Sequence, residues 1–168
     1  MATYRSRFAM IALMFLAAPA AAQRTVVLVR HAELQGQTMA QPAQTPLSDA
    51  GQLRAQRLAE LLQPSGVTAV YATEFVRTRD TAAPLAEQQG LAVTVVAKAE
   101  SATLVERIRR EQPEGTVLVV AHSDTLPALV AAFGRGADEG RVSATDYGQI
   151  FVLTPAPSGP ATLVRMKY

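Results

Sequence analysis

A chain of 168 residues, 49% hydrophobic and 18% charged, is long enough for one domain with a proper core and too short for two comfortable ones. With no cysteine and only two histidines, it excludes disulfides, thiolate catalysis and the common Cys- and His-based metal motifs. A formal net charge of +2, 5% aromatics and no Lys/Arg cluster argue against a nucleic-acid surface, so any anion site must come from a few well-placed cations.

Arg5 and Arg7 precede the apolar run Phe8 to Ala18, which ends in Pro19-Ala20-Ala21-Ala22. This layout predicts a signal peptide over residues 1–22, with Ala20 and Ala22 at an A-x-A cleavage site, and a periplasmic or secreted mature chain that starts at Gln23. A spanning helix needs roughly 20 apolar residues, and this run breaks at Pro19 before reaching that, so no stable membrane anchor is expected after cleavage. Cleavage removes two arginines and no acid, which leaves 14 basic against 14 acidic side chains in a single domain over residues 23–168.

From there, short β-branched runs alternate with longer Ala/Leu-rich segments, the rhythm of an α/β domain. Strands are predicted at Arg24 to Val29, Val67 to Tyr71, Leu91 to Val96 and Thr116 to Val120, all largely apolar, as strands buried on both faces must be. Gln149 to Leu153 and Ala161 to Met166 flank the Pro/Gly-rich stretch TPAPSGP and read as a closing antiparallel pair. Helices are predicted at Asp49 to Gln63, Phe75 to Gln89, Ala102 to Glu111 and Thr125 to Phe133, with Ser48 and Ser101 as N-caps and Gly90 and Gly134 as left-handed C-terminal residues. The expected fold is a three-layer α/β/α sandwich around a mostly parallel sheet, with a polar, exposed loop from Leu34 to Pro46.

The strand VVLV runs directly into Arg30-His31-Ala32-Glu33, which puts a guanidinium and an imidazole at a strand's carboxyl end, where open α/β sheets bind ligands. A charged residue often ends a strand merely by reaching solvent, so this spot alone is weak. The second apolar strand does the same, running into Ala121-His122-Ser123-Asp124 with a helix directly after. Both histidines of the protein thus follow apolar strands, and the second lies beside helix N-terminal amides. A third strand end, Ala72-Thr73, delivers Arg77 and Arg79 at the opening of a helix; the two cannot share a face, so at most one points into a common pocket.

VLVRHAE, then YATEFVRTRDTAAPLA, then VLVVAHSDTLPALV, in this order and strand context, resemble the histidine phosphatase superfamily, the fold group of the phosphoglycerate mutases. LSDAGQLRAQRLAELL is similar to the helix after that family's first loop, and the terminal strand ending in Tyr168 also fits. The resemblance implies that His31 is the phosphate-accepting nucleophile and that Arg30, Arg77 and His122 grip the phosphoryl oxygens, with Arg79 outside the pocket. Ala32 and Ala121 depart from the pattern, since the family most often has Gly at both places.

Phosphoryl transfer asks chiefly for positioning and for positive charge around the equatorial oxygens, which two arginines and a histidine supply with neither metal nor cofactor. The same charge keeps His31 neutral by like-charge repulsion and preserves the lone pair that attacks phosphorus, while the other ring nitrogen is expected to donate to a backbone carbonyl. The acid that protonates the leaving oxygen is open between Glu100 and Asp124, each with an ordinary alternative role, Glu100 as a solvated residue and Asp124 as a helix cap. Glu33 instead holds the substrate or the loop, and the superfamily members that act on phosphoprotein histidine manage without an evident acid. The expected activity is metal-independent hydrolysis of a phosphate ester, on a small molecule or a phosphoprotein. The alternatives are a non-catalytic phosphate-binding or sensing module and a phosphomutase.

Overall fold

The computed structural model describes residues 24–36, 42–136, 143, 145–156 and 158–168. The signal peptide expected over residues 1–22 and the start at Gln23 lie outside them. Six strands form one sheet: β1 (Arg24–Arg30), β2 (Val67–Thr73), β3 (Val93–Val96), β4 (Gly115–Ala121), β5 (Gln149–Thr154) and β6 (Thr162–Lys167), in the order β3-β2-β4-β1-β5-β6. The first four run parallel, and β5 and β6 close one side as an antiparallel pair. Four helices cover the sheet among the described residues: α1 (Asp49–Leu62), α2 (Val76–Gln89), α3 (Ser101–Glu111) and α4 (Leu126–Gly134).

Strand alternation divides the core in two. Val27, Val29, Leu118 and Val120 face one side, packed with Leu58 and Leu62 of α1 and Leu85 of α2. Val26, Leu28, Val117 and Val119 face the other, against Leu104 and Ile108 of α3 and Leu129 and Phe133 of α4. Each such residue, fully withdrawn from water, contributes about 1.5–3 kcal/mol, which is why β1 and β4 carry no polar position between Val26 and Val29 or between Val117 and Val120.

The strand ends run slightly past their apolar stretches, because ladder hydrogen bonds extend to Arg30, Thr73 and Ala121. Ser48 caps α1, its hydroxyl accepting from the Gly51 amide at 3.1 Å, and Gly90 ends α2 at φ +66°. Two expected caps are corrected. Ser101 is the first residue of α3 and its hydroxyl donates to the Lys98 carbonyl at 2.6 Å, while the left-handed residue after α4 is Arg135 (φ +51°), with Gly134 still helical.

The chain leaves β1 for α1 on one face and leaves β4 for α4 on the other, although β1 and β4 are neighbours. A crevice therefore opens at their carboxyl ends, the switch point where α/β sheets take ligands. No helix among the described residues is long and apolar enough to cross a membrane.

Gly51 fixes how closely α1 approaches this edge. A Cβ there would lie 2.2 Å from the Glu33 carbonyl oxygen, a backbone atom that also accepts from the Ser48 amide at 2.9 Å. Gly51→Ala is expected to cost about 1–3 kcal/mol of stability by overpacking. Urea unfolding midpoints measure it, and an unchanged midpoint would mean that the α1–Glu33 contact is slack.

Candidate active site

The β1–β4 register pairs Arg30 with Ala121, so His31 and His122 come next, side by side. The His31 amide donates to the Ala121 carbonyl at 3.0 Å and carries the ladder one step beyond the strands. The two rings stand edge to face at 5.4 Å between centroids, both buried. On the far side of β4, β2 brings up Thr73, and α2 then turns Arg77 toward the same place, with its guanidinium 3.3 Å from His122 Nδ1. Arg30, His31, Arg77 and His122 therefore meet at one sheet edge, while Arg79 is exposed, as the helical spacing requires.

The tautomers follow from the partners. His31 Nδ1 lies 2.8 Å from the Ala32 carbonyl, an acceptor only, so Nδ1 carries the proton and Nε2 keeps its lone pair. His122 is arranged the other way. Arginine can only donate, so His122 Nδ1 accepts from Arg77 and Nε2–H donates to the Thr73 hydroxyl at 2.8 Å. The relay continues from Thr73 to Thr78 at 2.8 Å and ends where the Thr78 hydroxyl donates to the Phe75 carbonyl at 2.8 Å. A turn further along α2, Thr81 accepts from the Ala32 amide at 2.9 Å, holding the residue whose carbonyl orients His31.

Burial, only partly offset by the Ala32 hydrogen bond and reinforced by Arg77 and Arg30, pushes His31 down to about 4. Burial again, with Arg77, His31 and Lys98, takes His122 down to about 3. Both imidazoles are neutral at pH 7, and the positive charge of the pocket resides on the guanidiniums. Tyr147 adds an aromatic wall, with the Arg30 guanidinium 3.9 Å from its ring centroid and the His31 ring 5.9 Å away. The Arg77 Nη1 group also donates to the Pro42 carbonyl at 2.7 Å, so the described part of the loop expected above the pocket touches it.

The acids lie elsewhere than an acid catalyst needs. Asp124 is exposed and pairs with Lys98 at 2.6 Å, which lowers its pKa where a general acid wants it raised. Nor does Asp124 cap α4, whose N-cap residue is Thr125. Glu100 is exposed at the end of a 3-10 turn, Lys98–Glu100, and its main-chain carbonyl accepts from the Thr103 hydroxyl. Glu33 is gripped by Arg54 through contacts of 2.6–2.9 Å and held below the usual carboxylate range. Since Arg54 also donates to the Tyr168 carbonyl at 2.8 Å, Glu33 holds the loop after His31 against α1 and the end of β6.

Sequence reasoning missed Thr73, Thr78, Thr81 and Tyr147. Thr78 and Thr81 are three apart on the helix that carries Arg77, a spacing that puts both on one face and could have been read as a polar patch aimed inward. Tyr147 has no local signature. Among the described residues, no group of three or more His, Cys, Asp or Glu is placed to hold a metal ion.

The unfolded chain titrates its histidines near 6.5, so it takes up protons below that pH before the folded protein does. Stability from these two sites is therefore present above about pH 6.5 and declines as pH falls toward 4. Long-range 1H–15N imidazole spectra are expected to show the Nδ1–H tautomer for His31 and the Nε2–H tautomer for His122, with neither titrating between pH 5 and 8. A midpoint near 6.5 for either would contradict this electrostatic picture.

Residues 26–99 match the sequence model of the histidine phosphatase superfamily (branch 1). No curated protein matches the chain significantly. Among solved structures, the protein histidine phosphatase SixA complexed with tungstate superposes with a TM-score of 0.67 at 20% identity, over 85% of this chain and 96% of its own. The protein assigned as phosphohistidine phosphatase SixA of Nakamurella multipartitia gives 0.66 at 24% identity, over 87% and 96% of the two chains. A mycobacterial glucosyl-3-phosphoglycerate phosphatase gives 0.68 at 19% identity, over 87% and 98%. Residues 26–99 are thus similar in sequence to the histidine phosphatase superfamily, and most of the chain shares its fold with these structures.

Proposed function

We propose that this protein is a metal-independent phosphatase that hydrolyses phosphate monoesters through a phosphohistidine on His31. The observation that carries the reading is the His31 ring itself. It is neutral, locked with Nδ1–H on the Ala32 carbonyl so that Nε2 keeps its lone pair, and within electrostatic reach of the Arg30 and Arg77 guanidiniums. A pocket meant only to bind phosphate would gain from a cationic imidazole and has no need of a fixed nucleophilic nitrogen.

Arg30 and Arg77 neutralise the equatorial oxygens while Nε2 attacks phosphorus in line with the leaving oxygen. Water then attacks the phosphohistidine and returns the electron pair to Nε2. When the Arg77 guanidinium turns from His122 Nδ1 to the phosphoryl oxygens, that lone pair is released to accept a hydrogen bond from a protonated oxygen, with the ring held by the Thr73–Thr78 relay. Tungstate and vanadate, which neighbours of this fold bind, are oxyanions that suit the same cationic pocket. The substrate class is a small or exposed phosphate ester, or a phosphorylated protein segment, acting in the periplasm or outside the cell if residues 1–22 direct export.

Hydrolysis of p-nitrophenyl phosphate in excess chelator is the test. His31→Ala is expected to abolish it, and Arg77→Ala to lower kcat by about 10²–10³-fold, the usual loss for one charge-stabilising donor. Turnover that survives His31→Ala, or that vanishes in chelator, would remove this reading.

A further inference from the structure

If His31 is the nucleophile, the leaving oxygen still needs a proton; two nearby carboxylates, Glu33 and Asp124, are held as anions by Arg54 and Lys98, and a third, Glu74, is exposed and accepts from the Lys98 main-chain amide at 2.8 Å. The remaining hydroxyl-bearing aromatic group at the pocket is Tyr147. Its ring lies under the Arg30 guanidinium at 3.9 Å and leans on the His31 ring at 5.9 Å. Its phenol also lies within electrostatic reach of Arg77.

The backbone that presents Tyr147 is firmly held on both sides. The Asp146 amide donates to the Ser143 hydroxyl at 3.1 Å, and the Asp146 carboxylate accepts from the Gly148 amide at 2.9 Å and pairs with Lys167 of β6 at 2.7 Å. The Gly148 carbonyl in turn accepts from the Tyr168 amide at 3.1 Å.

Resting on the phosphohistidine reading, we propose that Tyr147 is a catalytic residue whose phenol protonates the leaving oxygen of alkyl phosphate esters. In the first step, the Nε2 pair of His31 forms the N–P bond, the P–O bond breaks with its pair on the leaving oxygen, and the Tyr147 proton moves to that oxygen. The phenolate forms on a ring stacked against the Arg30 guanidinium and within electrostatic reach of Arg77, and both cations stabilise it. In the second step, water forms the new P–O bond, the N–P pair returns to Nε2, and a water proton restores the phenol.

The leaving group discriminates. A nitrophenolate departs without help, whereas an alkoxide depends on its proton. Tyr147→Phe keeps the ring on Arg30 and removes only the hydroxyl. It is expected to lower kcat on glycerol phosphate about 10²-fold more than kcat on p-nitrophenyl phosphate, the lower range for a positioned acid. Equal rates on both substrates, an equal loss on both, or a wild-type enzyme that phosphorylates His31 but never hydrolyses glycerol phosphate would overturn the role of Tyr147 and leave the nucleophile standing. Absence of any His31 adduct with either ester would instead remove the underlying reading, and this inference with it.

Discussion

The hydrogen bond from the His31 amide to the Ala121 carbonyl extends the β1–β4 ladder one residue past both strands, and the site depends on it. Parallel strands in register lie roughly 4.8 Å apart, so residues at matched positions are bound to be neighbours; here those residues are the protein's two histidines. A one-residue slip would turn one ring to the opposite face of the sheet. The apolar alternation that splits Val27 and Val29 from Val26 and Leu28 forbids that slip, since it would move each of these side chains to the wrong core. Packing of an ordinary hydrophobic kind thus fixes the distance between the two histidines.

Around that fixed pair, α2 acts as the positioning element. It carries Arg77 into the pocket, Thr78 into the relay that sets His122, and Thr81 onto Ala32, whose carbonyl sets His31. Three functions on one helical face explain why α2 packs so close to the strand ends, and why its buried face carries threonines as well as the expected apolar residues. The result is a pocket whose positive charge is permanent, because it resides on guanidiniums, and whose imidazoles are neutral. On the proposed reading, an incoming phosphoryl group supplies the missing negative charge. Arg30 is further ordered by the Tyr147 ring, so the pocket is largely assembled before any anion arrives.

Much of this was legible in the sequence because strands buried on both faces cannot hide: unbroken apolar runs ended in Arg30-His31 and Ala121-His122, and the sheet made those ends adjacent. The ends of β1 and β2 were read a residue or two short, since ladder pairing continues through Arg30 and Thr73, where apolar character has already stopped, whereas β3 was read from Leu91, two residues before its pairing begins at Val93. Ser101 and Gly134 misled because a cap residue is defined by backbone angles that composition alone does not set; Arg135 takes the left-handed conformation beside a more permissive glycine. Asp124 was close to the pocket in sequence but is drawn outward by Lys98, a residue 26 positions away. Tyr147 was invisible for the same reason, since its contact with Arg30 exists only once the β5–β6 hairpin docks against β1.

The central claim is that a neutral His31 Nε2, and no other atom, receives the phosphoryl group. Mass spectrometry on protein quenched in alkali after brief exposure to a phosphomonoester tests it directly. The account predicts a phosphate adduct confined to the peptide containing His31, decaying with time as water regenerates the free enzyme. Phosphate release with no adduct on that peptide at any quench time, or an adduct on His122 in its place, would contradict it.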